Sequence, residues 1–181
     1  MGTIVIDLDN NNYKRFLKKL SYYKYSKNMF EFNYSRDFKY KDEAEKIEHT
    51  LNLKDKKERY SYIYDVVCDY LDNLFIDKNM CEFSEDKCYS NRCKTFNKTC
   101  GCCSNNKGEE CPYFDKDHCT IKCSGCKFYI CPNLKKKIGP IRMKDVPLVN
   151  YFFNTRQKLV LRYTVFTPKE EIIDKLIKFK I

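Results

Sequence analysis

Tryptophan is absent from these 181 residues, and glycine and proline number only five each. So few turn formers argue against a turn-rich all-β design. Long apolar runs are missing too. A stretch such as Lys158–Phe166, interrupted by Arg162, is far too short to span a bilayer, so no membrane partner is expected. The start, Met1-Gly2-Thr3-Ile4-Val5-Ile6-Asp7, has neither the basic residues nor the apolar stretch of a secretory signal. Ile6 stands where a myristoylation motif wants Ser or Thr. The expectation is a cytoplasmic protein. What the chain does have is a 43% hydrophobic share and a 15% aromatic share, the latter all tyrosine and phenylalanine. That is enough for a core and excludes a wholly disordered chain.

Cysteine divides the chain into three. Residues 1–80 hold one, Cys68; residues 81–131 hold eleven; residues 132–181 hold none. The predicted organisation follows: a mostly helical N-terminal region (1–80), a Cys-rich segment (81–132), and a basic helical C-terminal region (133–181) packing with 1–80 as one body. The fold class expected is mainly α, with a central irregular metal-stapled segment and at most a few short strands.

The flanks carry local signals. Thr3–Leu8 reads as a short β run, followed by a polar Asn10-Asn11-Asn12 break and a basic helix from Tyr13 to Leu20. Tyr22–Tyr40 has no clear period and is left unassigned. Asp55–Ile76 is the strongest helix, with Ile63, Val66, Val67, Tyr70, Leu71, Leu74 and Phe75 forming one stripe. Cys68 lies one residue from that stripe and reads as a small, partly buried hydrophobe. A helix is expected to begin near Pro147, and Leu159–Phe166 is ambiguous between strand and helix. Thr167-Pro168-Lys169-Glu170 has the order of a capping box ahead of Ile172, Ile173, Leu176 and Ile177.

The middle segment differs in kind. Between Cys81 and Cys131 the large aliphatic residues are Ile121 and Ile130 alone. About fifty residues without Leu or Val cannot build an ordinary core, and thiolate–metal bonds would replace the missing packing. The candidate ligands are Cys81, Cys88, Cys93, Cys100, Cys102, Cys103, Cys111, Cys119, Cys123, Cys126 and Cys131. In a reducing compartment such a cluster points to metal rather than to disulfides. The triplets Asn33-Tyr34-Ser35 and Asn97-Lys98-Thr99 fit a glycosylation signal and are the one support for an extracellular, disulfide-bonded reading.

Within that set the tightest group is Cys119, Cys123, Cys126 and Cys131, four thiols in thirteen residues. Their loop-closure cost is small, so Cys119, Cys123 and Cys126 are expected in one site completed by Cys131 or by Cys102 or Cys103. Cys123-x2-Cys126 is a zinc-type pair, while Cys119-x3-Cys123-x2-Cys126 has the spacing that radical S-adenosylmethionine enzymes use for a [4Fe–4S] cluster. Only 55 residues follow Cys126, and Gly125 replaces the usual aromatic, so a complete enzyme of that fold is excluded. Zn²⁺ and [4Fe–4S] both remain open. His118 and His49 read as a loop residue and a solvated helix residue. Neither offers the partner that cysteine nucleophilic catalysis needs, and there is no phosphate-cradling glycine loop.

"TCGCC", "CPYFDKDHCTI" and "CKFYICP" together are similar to the CxxCxxCC family of zinc- or iron-chelating domains. The resemblance covers residues 100–132. It aligns Cys102 and Cys103 with the family's doublet, Cys111 with its second element, Cys119 and Ile121 with the third, and Cys126 and Lys127 with the last. It implies metal binding. A link to protein lysine N-methylation is implied by the resemblance alone.

Net charge is +10, and it is uneven: 15 basic and 14 acidic groups in residues 1–79, 8 and 7 in 80–131, 12 and 4 in 132–181. Two functional classes follow. In the first, the chain is a small metal-binding protein, a redox or metal-dependent accessory module. In the second, a metal-stapled segment presents Lys135, Lys136, Lys137, Arg142 and Lys144 to nucleic acid or a ribonucleoprotein, as in a factor of a mobile element.

Overall fold

A computed structural model describes residues 2–77, 83–84, 87–88, 114–115, 118–119, 122–130, 135–136 and 139–179. Among these, helix predominates, as the residue patterns predict. The predicted ligands Cys81, Cys93, Cys100, Cys102, Cys103, Cys111 and Cys131 lie outside the described residues, as does Lys137.

The chain opens with strand β1 (Thr3–Leu8), helix α1 (Tyr13–Tyr23) and strand β2 (Met29–Tyr34). The strands pair in parallel, from Thr3 opposite Met29 to Leu8 opposite Tyr34. The polar Asn10–Asn12 break is itself ordered. The Asp9 carboxylate accepts from the amides of Asn11 and Asn12 at 2.7 and 2.8 Å, turning the chain into α1. Tyr13, Phe16 and Leu20, at helical spacing, are the buried face of α1.

β2 lies in the region that the residue pattern left unassigned. Phe30 and Phe32 point inward, and the following helix α2 (Lys41–Asn52) satisfies the strand's open edge. Asn52 accepts from the Phe30 amide at 2.7 Å and donates to its carbonyl at 2.8 Å. Glu48 accepts from the Phe32 amide and the Tyr34 hydroxyl, both at 3.0 Å. An edge that would otherwise template aggregation is thus closed by side chains.

Helix α3 (Lys56–Asp77) matches the strongest helix expectation to within a residue. Its deepest face is Ile63, Tyr64, Val67, Cys68 and Leu71, with Val66 and Tyr70 partly buried at its margin. Cys68 is therefore fully rather than partly buried, because the stripe is rotated toward it. Two short strand pairs follow: β3 (Phe83–Ser84) with β4 (Lys87–Cys88), and β5 (Phe114–Asp115) with β6 (His118–Cys119), both antiparallel. His118 is thus a strand residue, not a loop residue. His49 is exposed, as expected of a solvated face, with its ring 4.4 Å from that of Tyr62.

After these come α4 (Ser124–Phe128), a 3₁₀ turn (Met143–Asp145), α5 (Val149–Phe152), α6 (Thr155–Tyr163) and α7 (Lys169–Lys178). The helix expected at Pro147 begins two residues later, after Leu148 at φ +63°. The ambiguous Leu159–Phe166 run is helical to Tyr163, extended at Thr164, and left-handed at Phe166 with φ +53°. The capping box proposed at Thr167 is not formed: Pro168 is the N-cap residue of α7, and the Thr167 hydroxyl donates to Val165 O at 3.0 Å. The capping box is instead on α6, where Asn154 accepts from the Gln157 amide at 2.9 Å and Gln157 accepts from the Asn154 amide at 3.1 Å.

Leu148, Val149, Leu161, Ile172 and Leu176 join the same buried cluster as Ile47, Leu51 and Ile63. Among the described residues, no helix is long and apolar enough to cross a membrane.

Candidate metal centre

The short helix α4 carries the Cys123-x2-Cys126 motif and sits between α3 and α6. Residues that each have a specific reason to be there hold it. The Tyr64 hydroxyl on α3 donates to the Lys122 carbonyl at 2.8 Å and accepts from the Ser124 amide at 3.0 Å. Burial pushes the Tyr64 pKa up, so the hydroxyl keeps its proton for that bridge. Ser124 Oγ donates to Leu161 O on α6 at 2.9 Å. The Lys127 ammonium, with 5% of its side chain exposed, pairs with Asp72 of α3.

Gly125 fixes how closely α4 can approach. A Cβ there would lie 2.2 Å from the Thr164 carbonyl oxygen and 2.6 Å from its carbon. Only glycine fits. The aromatic residue usual before the last cysteine of a radical-enzyme triplet has no space at this position.

Cys123 is the N-cap residue of α4, in extended conformation, and is fully buried. As a thiol it donates to Thr164 O at 3.4 Å. Its pKa is nevertheless pushed down to about 5. A hydrogen bond from the Cys126 side chain is the largest cause; burial opposes it; the amides of Cys126, Thr167 and Phe166 add to the depression. Phe166 has φ +53°, the left-handed conformation that turns this loop back toward the sulfur. Cys126 lies one helical turn on and is partly exposed. Neither forms a disulfide. Cys68 does not either, but burial pushes its thiol up to about 12, so it stays a neutral core residue.

The structure therefore brings Cys123 and Cys126 together. Among the described residues, no group of three or more His, Cys, Asp or Glu gathers as a metal site. Cys119 ends β6 opposite Phe114, and Cys88 ends β4 opposite Phe83; these are backbone positions only. Lys135, Lys136, Arg142 and Lys144 are exposed. Sequence reasoning did not find Tyr64, Ser124 or the Phe166–Thr167 amides. The one local signal was a glycine between two cysteines in a glycine-poor chain.

On donor chemistry alone the pair would suit a thiolate-bound metal or cluster, with one sulfur buried and the other one helical turn on and partly open. The Tyr64 bridge gives a prediction. Tyr64→Phe leaves the Lys122 carbonyl and Ser124 amide without their partner and is expected to cost about 1–3 kcal/mol. A denaturant midpoint that does not shift would mean this hydroxyl does not anchor α4.

No family model, curated protein or solved structure matches this chain.

Proposed function

We propose that this protein is a metal-binding module, with Cys123 and Cys126 supplying one side of a thiolate centre for Zn²⁺ or a [4Fe–4S] cluster. The observation that carries the reading is a fully buried Cys123 at the start of a helix that Tyr64 and Ser124 tie to the body, with Cys126 one turn on and partly open. Amide donors around a ligating sulfur orient it and stabilise its negative charge, in zinc and iron–sulfur sites alike. Cys119, with Cys131 or one of Cys102 and Cys103, would complete the set. Its remaining cysteines require a reducing compartment to stay available, in keeping with a cytoplasmic location. Zinc would act as a cross-link; a cluster would add electron transfer.

The residues of the body do the positioning. Tyr64, Ser124 and Gly125 set the height of α4, and the Lys127–Asp72 pair sets its rotation. The test is metal analysis with an absorption spectrum on anaerobically purified protein. At least one equivalent of zinc per chain, or iron with a broad band near roughly 400 nm, is expected. Metal-free protein, or cysteines found mostly as disulfides, would overturn the reading.

A further inference from the structure

The N-terminal region is almost neutral in sum, yet its charge is strongly segregated. Helix α1 reads YKRFLKKLSYY and contains no acidic residue. Its solvent face is Lys14, Arg15, Lys18, Lys19 and Tyr22, spaced as one stripe opposite the buried Tyr13, Phe16 and Leu20. At its C-terminal end the stripe runs into a cleft of about 400 Å³ between the turn after α1, the α2–α3 connection and the start of α6.

Five cations line this cleft: Lys24, Lys27, Lys54, Lys56 and Arg59. Among the described residues lining it, none is acidic. Arg59 donates to the carbonyls of Leu53 and Lys24 at 2.7 and 2.8 Å, and Lys54 to those of Leu51 (2.7 Å) and Asn28. Those bonds fix the side chains without cancelling their charge. The crowding shows in their titration. Burial, and after it the charge of Arg59, lower the Lys54 pKa, and burial lowers that of Arg59. With no carboxylate among the described residues on its walls, the positive potential of Lys24, Lys27, Lys54 and Arg59 there favours an anion.

The aromatic residues indicate which anion. Tyr22 and Tyr25 are 78% and 73% exposed, and the Lys24 ammonium lies 5.0 Å from the Tyr25 ring centroid. Lysines alternating with bare tyrosine rings make a surface for phosphates and unstacked bases. A duplex would hide the base faces that such rings engage. A free nucleotide would fill the cleft but leave the α1 stripe, a helix of about 16 Å, without a ligand.

We propose that the exposed face of α1 and this cleft form a track for single-stranded nucleic acid, with phosphates on Lys18, Lys24 and Lys27 and bases on Tyr22 and Tyr25. The surface shares no residue with the Cys123–Cys126 pair or with Lys135, Lys136, Arg142 and Lys144, and it does not depend on the metal reading.

The experiment is fluorescence anisotropy of a labelled oligothymidylate of about 15 nucleotides, titrated with the purified full chain over a salt series. Lys18→Glu/Lys27→Glu, both at exposed positions, is expected to weaken binding about tenfold or more at low salt. It should also flatten the log–log salt slope by about 0.7 for each phosphate no longer neutralised. Tyr25→Ala should weaken binding several-fold with the slope unchanged, and it decides the matter if the charge reversals disturb folding. Lys135→Glu/Lys136→Glu should stay within about twofold of the parent. Three results would overturn the proposal. One is unchanged affinity in both α1-side variants. Another is loss confined to the Lys135/Lys136 variant. The third is displacement of the oligonucleotide by tripolyphosphate or ATP at matched phosphate concentration, which would mean that phosphate alone is read.

Discussion

Gly125→Ala is expected to lower the unfolding free energy by about 3 kcal/mol and to lift the cysteine turn off the helical body. The reason is local and steric. The new methyl would stand 2.2 Å from Thr164 O and 3.2 Å from Val165 Cγ1. Thr164 cannot yield easily, because its amide closes the last turn of α6 on Val160 O at 3.1 Å. Helix α4 must move instead. Movement breaks the Ser124–Leu161 bond and both Tyr64 bonds, and it withdraws Cys123 from the Phe166 and Thr167 amides. Gly2→Ala is the comparison: a Cβ there meets nothing nearer than 3.9 Å and should cost less than about 0.5 kcal/mol. Urea unfolding of the two variants separates them. A Gly125→Ala midpoint equal to that of Gly2→Ala would show that the close approach of α4 to α6 is not what seats the motif.

The helices were legible where a single face carries the information. α1 and α3 follow from three- and four-residue apolar steps, and the structure reproduces both to within a few residues. β2 was not legible, because what defines it is distant. Its partner β1 lies 26 positions earlier, and its outer edge is completed by Glu48 and Asn52 of a helix that follows it. Alternation over six aromatic-rich residues cannot announce those partners.

The Thr167-Pro168-Lys169-Glu170 sequence is a different kind of miss. It has the composition of a helix cap, but the Thr167 hydroxyl that would cap the helix is turned back onto the Val165 carbonyl. Pro168 takes the N-cap position instead. At the site itself, spacing singled out Cys123 and Cys126 as a pair. Their unequal roles, one buried and held, one partly open, depend on Tyr64, Leu161 and Thr164, which no local pattern connects to a cysteine.

The most direct test of the metal reading is metal per chain in anaerobically purified parent, Cys123→Ser and Cys68→Ala proteins, measured together. Serine at 123 keeps nearly the size of the side chain but gives up the soft sulfur donor, and a serine hydroxyl stays protonated at neutral pH. The account predicts that Cys123→Ser loses about one equivalent of zinc, or the whole iron chromophore if the centre is a cluster. Cys68→Ala, which removes a buried neutral thiol from the α3 face, should lose about 1–2 kcal/mol of stability and no metal. Equal metal content in Cys123→Ser and the parent would contradict the assignment of Cys123 as a ligand.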